Sequence, residues 1–199
     1  GFFITSNGIL VTNYHVIEGA QSIRAKLPTG AYYVMKGVLG GNKNSDIAIL
    51  QFEAQETPYV KLGDSDKIKV GEKVFAIGTP MGLESTVSEG TISYPKRKLD
   101  GMEFIQFSAS ISSGSSGGGL FNKHGKVIGI TAGSIEVPPE LQKESSAQNL
   151  NFAIPINLVK DTLAGKEKTL SEESPEYFYL LGILAKNKKD FDKAEEYFK

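Results

Sequence analysis

Along the first two-thirds of the chain, apolar residues come in short runs broken by turn residues, a pattern of strands rather than helices. Phe2-Phe3-Ile4 and Ile9-Leu10-Val11-Thr12 flank Ser6-Asn7-Gly8, where Asn-Gly predicts a hairpin turn. Ser22 to Leu27 predicts a strand that reaches a turn at Pro28-Thr29-Gly30. Ala31 to Leu39, rich in aromatic and β-branched residues, predicts the next, and Asp46 to Phe52 another after the loop Gly40 to Ser45. Lys73 to Ile77, Ser85 to Ser93, Glu103 to Phe107 and Val127 to Thr131 continue the series. So many short strands at this spacing predict a mainly β barrel or sandwich. Two polar loops interrupt it: Ser108 to Gly119, rich in Ser and Gly, and Ser134 to Asn149, which holds Pro138-Pro139.

The period then changes. Asn157 to Leu163 predicts a short closing helix, and Gly165-Lys166-Glu167-Lys168 a linker. From Ser174 on, Tyr177, Leu180, Leu181 and Leu184 share one helical face, and Ala194, Tyr197 and Phe198 begin a second after a turn at Asp190-Phe191. The organisation predicted is a β domain over 1–165 and a partial helical hairpin over 172–199. With neither an initiator Met nor a signal peptide, the chain reads as a fragment of a longer protein.

Composition narrows the chemistry. Lys+Arg (22) and Asp+Glu (23) nearly cancel in the 199 residues, so no basic excess marks a nucleic-acid partner. The chain has no cysteine, which removes disulfides, thiol nucleophiles and thiolate metal sites together. No His/Asp/Glu cluster has ligand spacing, so neither metal nor cofactor is implied. The two histidines, His15 and His124, are the whole supply of imidazole.

Gly114-Ser115-Ser116-Gly117-Gly118-Gly119 is the first candidate for chemistry. A serine hydroxyl needs a base to take its proton, and an oxyanion needs backbone N–H donors aimed at one point. A glycine two positions before Ser116 would let the amides of Gly114 and Ser116 converge on one oxygen. A flexible Ser/Gly loop is the plain alternative. His15, just after a predicted strand, is a candidate base, or else a structural histidine. Asp46 opens an apolar strand, where a carboxylate is costly without a partner, and could orient the imidazole; a turn aspartate is the plain reading. Together, in the order His15, Asp46, Ser116, the three outweigh their separate alternatives and reproduce the chain order of the chymotrypsin arrangement. Gly114-x-Ser116-x-Gly118 also fits the nucleophile elbow of α/β-hydrolases. That fold needs a helix after the serine, and an acid and a histidine later in the chain. Here three glycines and a strand follow, and the only later histidine, His124, lies in a predicted turn.

The sequence resembles the HtrA (Deg) family of trypsin-like serine proteases. The collinear blocks are Gly8 to Val16 around the histidine, Ser45 to Leu50 around the aspartate, Leu62 to Asp66 with Val70 to Pro80, Thr86 to Ser93, and Asn151 to Pro155. The resemblance implies a chymotrypsin-like double β-barrel, two perpendicular six-stranded barrels with the active site in the cleft between them. It implies His15 as general base, Asp46 as its orienter and Ser116 as nucleophile, with an oxyanion hole from the amides of Gly114 and Ser116. Substrate would add as a strand along Ala132-Gly133-Ser134, and Ile111, Ser134 and Ile135 would line a pocket suited to a small aliphatic side chain.

Three departures from the family pattern bear on these expectations. Ser112-Ser113-Gly114-Ser115-Ser116-Gly117-Gly118-Gly119 replaces the usual proline-bearing run, which should soften the loop and leave the oxyanion hole waiting for substrate or an activator. Ser134 is polar where an apolar residue is common. The chain also begins inside the first barrel. In place of the PDZ domain typical of the family, 172–199 resembles the start of a tetratricopeptide repeat, a peptide-binding module that needs further repeats for a stable array. The expected function is an extracytoplasmic bacterial endopeptidase of unfolded or damaged proteins, with a possible peptide ligand on the repeat-like segment. The alternatives are a protease-fold binding or scaffold protein without activity, and an esterase using the same residues.

Overall fold

The structure is a computed structural model that describes residues 1–79, 86–99, 101–112, 114–133 and 150–165. It divides into two compact units, Phe2–Tyr59 together with residues from Leu158 on, and Val60–Asn157. The repeat-like segment expected at 172–199 lies outside the described residues.

The first unit is a five-stranded antiparallel sheet of β1 (Phe2–Phe3), β2 (Ile9–Thr12), β3 (Arg24–Lys26), β4 (Tyr32–Asn42) and β5 (Ile47–Phe52), in the order β1-β2-β5-β4-β3. Among the described residues β1 and β3 lie at the sheet edges. β5 is central, and its run Ile47-Ala48-Ile49-Leu50 is buried throughout, which is why it reads as continuous apolar sequence rather than an alternating pattern. Phe3, Leu10, Met35, Leu50 and Phe52 form the core of the unit, and the Phe3 ring meets Phe52 edge to face at 5.9 Å. Each such side chain, fully buried, contributes about 1.5–3 kcal/mol. A one-turn helix, α1 (Tyr14–Ile17), follows β2 directly.

The second unit is a closed six-stranded barrel of β6 (Lys73–Gly78), β7 (Thr86–Leu99), β8 (Met102–Phe107), β9 (Gly119–Asn122), β10 (Val127–Ala132) and β11 (Asn151–Pro155), in the order β10-β11-β8-β7-β6-β9. Val74, Ile92, Ile105, Phe107, Leu120 and Ile128 fill it. β7 continues beyond its predicted end at Ser93 to Leu99, and its register against β8 shifts on both sides of Tyr94. Pro95 cannot donate to a ladder, so a bulge at this point costs the sheet little. Where β7 crosses the segment after β8, Gly90 is required: a Cβ there would lie 2.1 Å from the Ala109 nitrogen.

β11 was not among the strands the pattern predicts, and β9 was expected only as a strand after the three glycines, without bounds. Each is short, and one emerges from a Ser/Gly-rich run while the other follows a polar loop. They become strands because β10 pairs with both, Ile130 facing Gly119 on one side and Ile154 on the other. The predicted closing helix is present as α2 (Ile156–Leu163).

The start of α2 is clasped. Asn157 Nδ2 donates to Asp64 Oδ1 and to Asp66 Oδ2, both at 2.8 Å, and its backbone N–H donates to Ser65 Oγ at 3.2 Å. Lys67 pairs with Asp64 at 3.0 Å, and Lys96 with Asp66 at 2.9 Å. The hydrogen bonds from Asn157, Lys67 and the Asp66 amide hold the Asp64 carboxyl well below the usual carboxylate range. A depressed folded pKa stabilises above the unfolded value and loses that contribution as pH falls. Asp64→Asn is therefore expected to lower the urea midpoint at pH 7. The gap to the parent should close as pH drops below about 4, measured by urea unfolding across pH 2–7.

Candidate active site

The register of the first unit dictates where its two candidate residues meet. β2 and β5 pair antiparallel, with Val11 opposite Ile49 and Thr12 opposite Ala48. Continuing that register puts Tyr14 opposite Asp46, and the Tyr14 N–H donates to the Asp46 carbonyl at 3.1 Å. Asp46 thus does not open the strand, as the pattern predicts, but is the turn residue before it, with a left-handed φ of 52°. Its carboxylate faces His15 with both oxygens. Oδ1 accepts from the His15 backbone N–H at 2.9 Å, and Oδ2 lies 2.7 Å from His15 Nδ1. Asn13 Nδ2 donates to the Asp46 carbonyl at 3.0 Å. A carboxylate accepting from Nδ1–H fixes the tautomer whose lone pair lies on Nε2, the form a general base requires.

The second unit carries the serine loop, between β8 and β9. Gly114 has φ of 92°, a left-handed conformation that a residue with a Cβ rarely adopts. The loop is tied by its own backbone and by β10. Ser115 N–H donates to Ser112 O at 2.9 Å, and Gly118 N–H to Ser115 O at 3.0 Å. Gly117 N–H donates to Thr131 O, and Thr131 N–H to Gly118 O, each at 2.9 Å. The hydroxyl of the buried Thr131 donates to Ser115 O at 2.6 Å, with Gly118 O a further 3.2 Å neighbour. These bonds hold the chain on either side of Ser116. Among the described residues, neither the Gly114 nor the Ser116 N–H donates to a protein acceptor. No helix follows Ser116: the chain turns into β9, which excludes the α/β-hydrolase elbow.

Ser116 Oγ accepts from the Gly133 N–H at 3.1 Å. A Cβ on Gly133 would lie 3.3 Å from Ser116 Oγ, 3.7 Å from Ser112 O and 4.0 Å from Ile111 Cδ1. Three of the residues singled out in the sequence, Ile111, Ser116 and Gly133, therefore belong to one neighbourhood, with Ala132 at the end of β10 beside it. Ile111 also lines a cavity of about 210 Å³ with Ile77, Gly78, Ser88, Ser115 and Thr131. The predicted lining residues Ser134 and Ile135 lie outside the described residues. His124 is exposed in the turn after β9, where its N–H donates to Asn122 Oδ1 at 3.0 Å. Thr131 escaped notice in the sequence because a threonine in a strand carries no signal beyond β propensity.

Comparison with known proteins agrees with this anatomy. The trypsin-like peptidase domain family matches residues 1–130. A probable periplasmic serine endoprotease, DegP-like, from Marinomonas sp. is 44% identical over 135 residues, 66% of this chain and 29% of that protein. The putative serine protease HhoB of Synechocystis sp. is 37% identical over 81% of this chain and 38% of its own length. The solved structure of the HtrA-type protease AlgW with a decapeptide superposes with a TM-score of 0.72 at 33% identity, covering 82% of this chain and 50% of that one. The chain belongs to the trypsin-like peptidase domain family, and these relatives are of the HtrA and DegP type. It spans about a third of the length of these curated relatives.

Two substitutions probe the serine loop. Thr131→Val keeps the shape and removes the short donor to the Ser115 carbonyl, which keeps the Gly118 N–H; it is expected to cost about 0.5–1.5 kcal/mol in urea unfolding. Gly133→Ala puts a methyl against the serine hydroxyl at an exposed position. It should slow labelling of Ser116 by a fluorophosphonate probe while the unfolding midpoint holds.

Proposed function

We propose that this chain is a serine endopeptidase in which Ser116 is the nucleophile, His15 the general base and Asp46 its orienter. The observation that carries the reading is the two-point hold of the Asp46 carboxylate on His15, through the backbone N–H and Nδ1. In this reading, His15 Nε2 takes the proton as Ser116 Oγ adds to the scissile carbonyl. Asp46 stabilises the imidazolium that results, and His15 then delivers the proton to the leaving amine. The N–H groups of Gly114 and Ser116 receive the oxyanion, and that neither donates to a protein acceptor among the described residues supports that role.

Unfolded or damaged polypeptides are the proposed substrates. An extended chain would pair with the backbone at Ala132-Gly133-Ser134 and present a small aliphatic side chain to Ile111 and Ile135. The decapeptide in the AlgW structure supports a peptide ligand, and the periplasmic naming of the DegP-like relatives supports an extracytoplasmic location. The repeat-like sequence at 172–199 would add a second peptide-binding surface.

Ser116→Ala is expected to lower casein cleavage by about 10⁴-fold or more and to abolish fluorophosphonate labelling, with the far-UV circular dichroism unchanged. Retained cleavage by that variant would overturn the assignment. Loss of labelling in the parent chain itself would favour a scaffold without activity.

A further inference from the structure

We infer that Asn13 is a positioning residue that holds Asp46, and through it the His15 imidazole, in the geometry the base requires. The inference rests on the proposed roles of His15 and Asp46. Asn13 is fully buried at the N-cap of α1, with φ of −75° and ψ of 150°, the backbone conformation from which an asparagine side chain ordinarily caps the helix. It makes no capping bond. Its Nδ2 turns to the Asp46 carbonyl instead, at 3.0 Å.

That choice has a cost. Asn13 Oδ1 is buried with no hydrogen-bond partner among the described residues. Exchanging the amide oxygen and nitrogen would not relieve it, because an oxygen would then face the carbonyl oxygen of Asp46. A buried residue that forgoes its local bond and leaves an acceptor unmet is retained for what its donor holds. Asp46 needs holding. It is a non-glycine residue at φ of 52°, and its carbonyl is gripped from both neighbours of the α1 start, by Asn13 Nδ2 and by the Tyr14 N–H. Rotation of the Asp46 peptide would turn the carboxylate away from His15. An amide has the reach and the donor; an aspartate has the reach without the donor, and a leucine has the volume without either.

The test uses Asn13→Leu and Asn13→Asp in the full chain, with three readouts. These are the urea midpoint, kcat and KM on a peptide substrate, and the proton resonance of the hydrogen-bonded His15 Nδ1–H. The chain has only two histidines, so a His124→Gln background leaves that resonance unambiguous. Asn13→Leu removes the unmet acceptor together with the donor. It is expected to keep or raise the midpoint, lower kcat about ten- to a hundredfold with KM nearly constant, and broaden or move the Nδ1–H signal upfield. Asn13→Asp should lose the signal as well.

A folded Asn13→Leu with parental kcat and an unmoved Nδ1–H signal would overturn the inference. So would a kcat that falls only in step with the midpoint in both variants, since that describes a purely structural residue. The resonance reads the His15–Asp46 pair whether or not Ser116 is the nucleophile. Failure of the triad assignment, seen in Ser116→Ala, is thereby distinguished from failure of this one.

Discussion

The antiparallel register of β2 against β5 is the constraint from which the candidate base follows. With Thr12 opposite Ala48, the residues leaving one strand and entering the other are forced together, and the ladder continues into the Tyr14 to Asp46 bond. A slip of one residue would turn Asp46 to the other face and exchange Ala48 and Leu50, which pack in the core of the unit, for Ile47 and Ile49. The same apolar side chains that specify the sheet therefore specify where the carboxylate sits. The pairing of His15 with Asp46 costs the fold little extra ordering, because both backbones are already placed by strand pairing.

In the second unit the corresponding anchor is β10. It is buried along its whole length, pairs with β9 and β11, and presents Thr131 to the loop that carries Ser116. Closing the barrel and holding the serine loop are thus served by one strand. A glycine-rich loop is entropically expensive to order. Thr131 fixes its flank through the Ser115 and Gly118 carbonyls.

Much of this was legible beforehand. His15, Asp46 and Ser116 stood out because their residue types recur at strand ends in an order that only one arrangement explains. The strands of the first unit and most of the barrel followed from apolar runs between turn signals. β11 and the bounds of β9 did not, because short strands beside polar loops take their conformation from the neighbour they pair with, not from their own pattern. Asn13 and Thr131 were silent for a similar reason. An asparagine before a short helix reads as a cap and a threonine in a strand as a β-former, and nothing local says that their side chains reach 33 and 16 residues away.

The sequence by itself determined the mainly β class, the family resemblance and the identities of the candidate base, acid and nucleophile. These depend on local chemistry: apolar period, turn residues, and a few side chains with reactive groups. Tertiary structure alone decided the left-handed turn at Asp46, the closure of the barrel and the hydrogen bonds that hold each reactive side chain. Those depend on which distant residues become neighbours, and a distance across a sheet is set by register and packing rather than by separation along the chain.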